Sequence, residues 1–95
     1  MGVTYKIVYH KQVITHDVPL LSKEWRGKIK NAIEIKLVPH PEVFGIPLRN
    51  TLKGYRKLRA GDYRIIFRIE SKTVLIFVIS HRSNVYRIPE KRAGA

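Results

Sequence analysis

The hydrophobic residues of the chain follow a strand pattern at its start and a helical pattern soon afterwards. Residues 5–9 are rich in β-branched and aromatic side chains and predict a first strand. Val13, Ile14 and Val18 stand at steps i, i+1 and i+5 and predict a short helix. Pro19 ends this helix, because proline lacks the backbone N–H that a continuing helix needs.

A second, longer helix is predicted between Ser22 and Pro39. Ser22 can cap its N-terminus, and Glu24 stands in the first turn, where a negative charge is favourable. The apolar residues recur at steps of three and four and form one stripe: Trp25, Ile29, Ala32, Ile33 and Leu37. The residue before a proline avoids helical geometry, so we expect the helix to end before Pro39 and its stripe to face a sheet.

Three strands are predicted in the second half of the chain, after a proline-rich loop over residues 39–50. They cover residues 52–59, 63–70 and 74–80. The middle strand alternates, with aromatic and aliphatic residues on one side and arginines on the other. The last strand is apolar on both faces, which is typical of an interior strand.

This order of elements, β-α-α-β-β-β, defines an α+β fold. Two N-terminal helices are expected to pack on one face of a mainly antiparallel, twisted sheet. A chain of 95 residues has room for one core, so residues 1–95 are predicted to form a single domain. Residues 89–95 are expected to be a frayed tail.

The charge of the chain is strongly positive and unevenly distributed. Nineteen Lys and Arg against seven Asp and Glu give +12. Residues 1–48 hold seven basic and four acidic side chains, a net of +3, whereas residues 49–95 hold twelve and three, a net of +9. A field of this size favours phosphate-rich partners, above all RNA, or an acidic protein.

Several protein classes are not supported by the sequence. The chain has no cysteine, so disulfides and thiolate sites are unavailable. The first residues lack a charged segment followed by a long apolar run, so no signal peptide is expected. The longest apolar run, residues 74–79, is too short to cross a bilayer. We therefore expect a cytoplasmic protein without a membrane partner.

The candidate chemistry lies on the arginine side of the predicted sheet. If the apolar residues of the middle strand pack under the helices, Arg64 and Arg68 project from the opposite, open face. The neighbouring segments add further cations and polar groups near this face: Arg56, Lys57, Arg59, His81, Arg82 and Tyr86. Like charges repel, so such crowding favours a bound anion.

Neither a metal nor another cofactor is expected at this face. The four histidines lack the spacing of metal ligands, and the sheet half offers almost no carboxylates for the cations of a metal-dependent nuclease. Metal-free RNA cleavage needs a base for the ribose 2′-OH, cations for the phosphorane and an acid for the leaving oxygen. The only candidates for proton transfer are Lys57, His81 and Tyr86, so RNA binding without cleavage stays an alternative.

Two segments resemble a known toxin family. Residues 52–67, LKGYRKLRAGDYRIIF, resemble the central signature of the RelE/ParE toxin superfamily, and residues 79–86, ISHRSNVY, resemble its C-terminal signature. The resemblance implies a toxin of a bacterial or archaeal type II toxin–antitoxin system. RelE-type members cut mRNA in the ribosomal A site without a metal, leaving a cyclic phosphate, and so inhibit translation. ParE-type members share the fold but are not nucleases and poison DNA gyrase.

The resemblance also implies roles for individual residues. Lys57 and Arg59 match basic residues of the first hairpin strand, and Arg64 matches the arginine that holds the scissile phosphate. The C-terminal signature implies catalytic roles for three more residues: His81, Arg82 and Tyr86. Arg56, Arg59 and Arg68 are expected to bind RNA phosphates.

The sequence departs from the family pattern at two positions. Tyr55 stands where the RelE pattern has a further lysine, and Ser80 lies near the place of a further arginine. Arg56 is a poor substitute as a proton shuttle, because a guanidinium does not deprotonate near neutral pH. An mRNA nuclease is therefore the first hypothesis and a gyrase inhibitor the alternative. Under both, the partner is a cognate antitoxin that is acidic where it contacts the cationic face.

Overall fold

The computed structural model describes residues 4–84 and Arg92. The first half contains, in order, strand β1 (Lys6–Tyr9), helical turns Val13–Asp17 and Val18–Leu20, helix α1 (Lys23–Ala32) with its continuation Ile33–Leu37, and helix α2 (Pro41–Phe44). The second half contains β2 (Ile46–Pro47), a 3-10 turn (Asn50–Leu52), β3 (Arg56–Ala60), β4 (Tyr63–Glu70) and β5 (Thr73–His81).

The long helix begins at its predicted cap. The Ser22 hydroxyl accepts a hydrogen bond from the Trp25 backbone N–H at 3.2 Å. The helix changes its winding near its end, where the Val38 N–H donates to the Ile33 carbonyl at 3.2 Å, an i→i+5 bond. It stops before Pro39, as the sequence predicts.

The predicted loop over residues 39–50 is more ordered than expected. It contains α2 and the short strand β2, which the sequence reading missed. The following strand, β3, begins at Arg56 rather than at residue 52. The reason lies in the backbone, because Asn50–Leu52 form a 3-10 turn and Gly54 adopts a positive φ angle of 95°, neither of which fits an extended strand.

The five strands form one sheet in the order β1-β5-β4-β3-β2. β1 pairs with β5 in parallel, and every other neighbouring pair is antiparallel. β5 is therefore an interior strand, as its apolar sequence predicts. The α+β fold and the mainly antiparallel sheet are confirmed.

The main core lies between the sheet and the long helix. Its fully buried members alternate along the strands and meet the helix stripe: Val13, Ile29, Ile33, Leu37, Ile65, Phe67, Val74 and Ile76. A β-bulge interrupts the pairing of β4 with β5, since Ile66 faces Val78 but Phe67 faces Ile76. This register shift leaves Phe77 as an extra residue of β5.

A second, smaller apolar cluster lies on the opposite face of the sheet. Ile66, Phe77 and Val78 are buried there beneath Leu48 and Tyr55. We expected this face to be open. The β2–β3 connection covers its middle through Leu48 and Tyr55.

Within the part of the chain that the structure describes, no helix is long and apolar enough to cross a membrane. In the segment expected to be a frayed tail, Arg92 differs from that expectation, because its side chain is only 7% exposed. The other residues of that segment lie outside the described residues.

Candidate functional site

The face of the sheet away from the helices carries a row of basic residues at its open end. Arg59 on β3 is paired with Arg64 on β4, and Arg64 with Ser80 on β5. Lys57 lies two residues from Arg59 along β3 and therefore projects from the same face. We call Lys57, Arg59 and Arg64 the cationic face.

The Arg64 side chain is held by the turn between β3 and β4. Its Nη1 donates to the carbonyl oxygens of Gly61 at 2.8 Å and Tyr63 at 2.9 Å. Gly61 has a φ of 60°, a left-handed conformation that glycine adopts without strain. Within the described residues, the Nε and Nη2 groups of Arg64 form no hydrogen bond, so the fixed guanidinium keeps donors for an anion.

Arg59 and Arg64 place two like charges directly opposite each other. In such a pair the Cβ atoms lie roughly 4.5–5.5 Å apart, and two equal charges destabilise the sheet. Neither arginine forms an ion pair with an acidic side chain in residues 4–84 and 92. The repulsion is thus uncompensated by the described residues and favours a bound anion.

Arg82 lies beside the same turn. Its backbone N–H donates to the Asp62 carbonyl at 2.8 Å, which joins the end of β5 to the β3–β4 turn. Its Nε is 4.0 Å from the Asp62 carboxylate, and both side chains are exposed. An exposed pair of this length contributes little, so Arg82 is available near Arg64. The shared role of Arg64 and Arg82 at one phosphate stays a prediction.

His81 is not on the cationic face, which corrects the sequence prediction. It is paired with Tyr63, and its ring stands edge-on to the Tyr63 ring with centroids 5.6 Å apart. Because side chains alternate along β5, His81 shares the helix side of the sheet with Tyr63. The Ser83 backbone N–H donates to His81 Nδ1 at 3.3 Å, and the Ser83 hydroxyl lies 2.9 Å from the same nitrogen.

Arg56 also lies on the helix side, although it was expected to bind phosphate. It is paired with Phe67, a core residue. Its Nη1 donates to the carbonyl oxygens of Glu42 at 3.3 Å and Gly45 at 3.1 Å. These bonds fasten α2 to β3 and give Arg56 a structural role.

Arg68 projects on the same side as Arg64, but its charge is already compensated. It forms an ion pair with Glu70. Its guanidinium also lies 5.3 Å from the centre of the Tyr55 ring, which in turn packs on Phe77 with ring centroids 4.8 Å apart. Tyr55 is therefore a packing residue on this face of the sheet. Tyr86, a predicted catalytic residue, lies outside the described residues.

The residues described include no cluster of three or more His, Cys, Asp or Glu side chains that could hold a metal ion.

One polar centre was not predicted from the sequence, the buried ion pair of Asp17 and Arg92. The sequence feature that could have indicated this ion pair is Asp17 itself, the single acidic residue among residues 1–23. Burial raises the pKa of Asp17. Hydrogen bonds from Arg92, His16 and the Ile79 backbone together lower this pKa by more than burial raises it, so it lies below its usual value.

The fold belongs to a known class. A solved toxin–antitoxin complex named RelBE2, from Mycobacterium tuberculosis, contains a chain of the same architecture, with a TM-score of 0.79 and 28% identity. The superposition covers 85% of this chain and 94% of that one. The helices and the five-stranded sheet therefore define a RelE-like fold.

Sequence comparison identifies the family. Residues 6–86 match the family described as the ParE toxin of the type II toxin–antitoxin system parDE. The chain belongs to the RelE/ParE family of type II toxins. It is also similar to two proteins of Mycobacterium tuberculosis (strain ATCC 25618 / H37Rv), Toxin RelE and Toxin RelG.

The similarity to these two relatives is partial. The match to Toxin RelE is 41% identical over 54 residues, 55% of this chain and 56% of that protein. The match to Toxin RelG is 42% identical over 45 residues, 45% of this chain and 52% of that protein. The aligned segments thus span about half of the curated relatives' length.

Proposed function

We propose that this toxin is a metal-independent endoribonuclease that cleaves mRNA on the ribosome and thereby inhibits translation. The observation that carries the proposal is the pair of Arg59 and Arg64 on the cationic face, which no acidic side chain in residues 4–84 or at position 92 compensates, beside the turn that also holds Arg82. A phosphodiester would supply negative charge at this place. Similarity to Toxin RelE supports the same reading.

Arg64 has the geometry of a phosphate ligand. The carbonyl groups of Gly61 and Tyr63 fix its guanidinium before any substrate binds. A pre-oriented cation stabilises the charge that develops in the transition state without reorganising. Arg64 and Arg82 are therefore proposed to bind the non-bridging oxygens of the phosphorane, with Arg59 on a neighbouring phosphate.

The reaction needs two proton transfers. The ribose 2′-oxygen loses its proton to a base, attacks phosphorus and forms the cyclic phosphate, while the 5′-oxygen leaves and takes a proton from an acid. Lys57 shares a face with Arg59 and Arg64, which makes it the preferred base. Tyr86 is proposed as the acid, since His81, the other candidate from the sequence, lies on the helix side of the sheet.

The test is cleavage of mRNA by the purified toxin in a reconstituted translation reaction, read by primer extension. Arg64→Ala and Arg82→Ala should lower the cleavage rate at least about a hundredfold, the size expected when a transition-state donor is removed. Lys23→Ala, which removes one positive charge from the exposed side of α1, should cleave at the wild-type rate. Thermal unfolding of each variant shows whether the fold is intact. Unchanged cleavage by a folded Arg64→Ala protein would refute the site.

Two observations favour a second function, inhibition of DNA gyrase without catalysis. The matching family is described by its ParE toxin, and Tyr55 replaces a lysine of the RelE pattern and packs on Phe77. This alternative predicts no RNA cleavage with or without ribosomes. It also predicts loss of DNA supercoiling when gyrase is mixed with the toxin, and that assay discriminates the two functions.

A further inference from the structure

Ser80 lies beside Arg64 on the face of the sheet away from the helices. It is paired with Arg64 across β4 and β5, and Arg64 is in turn paired with Arg59 across β3 and β4. Side chains at directly opposite positions lie roughly 4.5–5.5 Å apart at their Cβ atoms. Arg59, Arg64 and Ser80 therefore form one row of hydrogen-bond donors across three strands, and a neutral hydroxyl ends the row.

A β-bulge in β5 places Ser80 in this row. Ile76 packs in the main core, so strict alternation would turn Ser80, an even number of positions later, to the helix side as well. The register shift makes Phe77 an extra residue, and both Phe77 and Val78 lie in the apolar cluster on the opposite face. Alternation resumes from Val78 and brings Ser80 to the side of Arg64. Bulges are common next to active sites, where they re-aim a side chain.

The buried ion pair of Asp17 and Arg92 holds this bulge in place. The Arg92 Nη1 donates to the Phe77 carbonyl at 2.8 Å, and the Asp17 carboxylate accepts the Ile79 N–H at 2.9 Å. These bonds fix the outer edge of β5 immediately before Ser80, and pairing with β4 fixes its other edge. The backbone of Ser80 is thus held before any ligand binds, as a preorganised donor requires.

The Ser80 hydroxyl has no protein partner in the part of the chain that the structure describes. The residue is only 7% exposed, yet within residues 4–84 and Arg92 its side chain forms no hydrogen bond. Its oxygen is not fully enclosed, so it can still reach a ligand. Burying a hydroxyl without a partner is unfavourable, and an alanine would occupy the position without that cost. The arrangement therefore favours a ligand oxygen that completes the hydrogen bond.

We propose that the Ser80 hydroxyl donates a hydrogen bond to a non-bridging oxygen of the phosphate that Arg64 binds. A hydrogen bond to a charged acceptor is stronger than one between neutral groups. Unlike a third cation, a hydroxyl adds no repulsion to Arg59 and Arg64 in the free protein. The inference rests on the proposed function, because it takes this phosphate to be the scissile phosphate of mRNA.

The first test titrates the purified toxin with inorganic phosphate and follows the backbone amide signals of residues 61–64 by NMR. Ser80→Ala should weaken phosphate binding at least about tenfold, the size expected for a hydrogen bond to a charged group. Ser80→Thr keeps a hydroxyl on a side chain suited to a strand and should bind within about threefold of wild type. The matched control is Ser83→Ala, which removes a hydroxyl that lies 2.9 Å from His81 Nδ1 and should leave phosphate binding unchanged.

The second test measures mRNA cleavage in the reconstituted translation reaction and separates this inference from the proposed function. Ser80→Ala should lower the cleavage rate at least about tenfold, and Ser80→Thr should restore it to within about threefold of wild type. If the wild-type toxin does not cleave mRNA but the phosphate titrations differ as expected, the proposed function fails and Ser80 stands as a phosphate ligand.

Four outcomes would overturn the inference. They are equal phosphate binding by wild type and Ser80→Ala, no phosphate-dependent shift at residues 61–64 of the wild type, the same loss in Ser80→Ala and Ser80→Thr, and wild-type cleavage by Ser80→Ala. In the last case Arg64 still supports the proposed function without Ser80. Thermal unfolding of each variant shows that the fold is intact.

Discussion

The Asp17 carboxylate and the Arg92 guanidinium are joined by two hydrogen bonds, 2.9 Å from Nη1 to Oδ2 and 2.7 Å from Nη2 to Oδ1. Both side chains are buried, with 1% and 7% exposed. The Ile79 N–H donates to Asp17 at 2.9 Å, and Arg92 donates to the Phe77 carbonyl at 2.8 Å. β1 pairs with β5 only as far as Ile76. Beyond Ile76, Asp17 and Arg92 therefore provide hydrogen-bond partners for backbone groups at the edge of β5.

Breaking this pair should destabilise the protein strongly. Arg92→Met leaves the Asp17 carboxylate buried without its main partner, and we expect the free energy of unfolding to fall by about 3–5 kcal/mol. Urea denaturation followed by circular dichroism measures it. The control is Lys28→Met, which breaks the exposed ion pair with Glu24 and should cost about 0.5 kcal/mol or less. Equal losses in the two variants would contradict the structural role of the buried pair.

The same pair predicts how stability depends on pH. Although burial raises the pKa of Asp17, its hydrogen bonds with Arg92, His16 and Ile79 hold it below the usual value. Near the ordinary aspartate pKa of about 3.9, the unfolded chain binds more protons at this site than the folded one. The contribution of Asp17 is therefore complete above that pH and is lost as the pH falls through the lower folded-state pKa.

We therefore expect the wild-type protein to lose stability below about pH 4 more steeply than Asp17→Asn, which has no carboxyl group to protonate. Urea denaturation midpoints measured between about pH 2 and 6 give the pH dependence of stability for each protein. The remaining carboxyl groups are common to both proteins, so their effects on stability cancel when the two curves are subtracted. Parallel curves would show that Asp17 is not the titrating group.

The turn that holds Arg64 depends on a glycine. A Cβ at Gly61 would meet the Trp25 ring at 2.5 Å, and its φ of 60° disfavours other residues. Gly61→Ala should lower stability by more than about 1 kcal/mol. Gly27→Ala is the matched control, because a Cβ there meets nothing within 4 Å in α1 and should stabilise by about 0.5–1 kcal/mol. Thermal unfolding measures the stability of both variants. A shift of the unfolding temperature in the same direction for both would refute the role of Gly61 in the turn.

Removing one arginine of the cationic face should make the fold more stable. Arg59→Gln relieves repulsion with Arg64, and we expect a gain of about 0.2–1 kcal/mol at low salt. The gain should shrink as salt rises, because ions screen exposed charges. Urea denaturation at low and high salt measures it, with Lys72→Gln, an exposed lysine beyond the far end of β4, as the control. Destabilisation of the Arg59 variant at low salt would show that Arg59 has a stabilising partner.

Much of the fold could be read from local patterns. The strand period predicted β4 at its observed limits, Tyr63 and Glu70, and the helical period predicted the stripe from Trp25 to Leu37. These elements bury a regular face, so the spacing of apolar residues reports them directly. β2 was missed because two residues, one of them a proline, carry no periodic signal.

The candidate site was only partly predictable. Alternation along one strand correctly separates Arg64 from Tyr63, since both belong to β4. The side of the sheet taken by Arg56 and His81 depends on how their strands are paired with β4. A shift of one residue reverses every side chain of a strand, and sequence alone does not set that register.

The sequence by itself therefore determined the α+β class, the toxin family resemblance and the excess of positive charge in the second half, because periodicity, motifs and composition are local properties. The tertiary structure decided which cations share a face. It joined Arg59 to Arg64, turned Arg56 and His81 to the other side, and brought Arg92 to Asp17 across 75 positions of the chain. The physical reason is that strand register and buried ion pairs arise from contacts between distant segments, which no local pattern encodes.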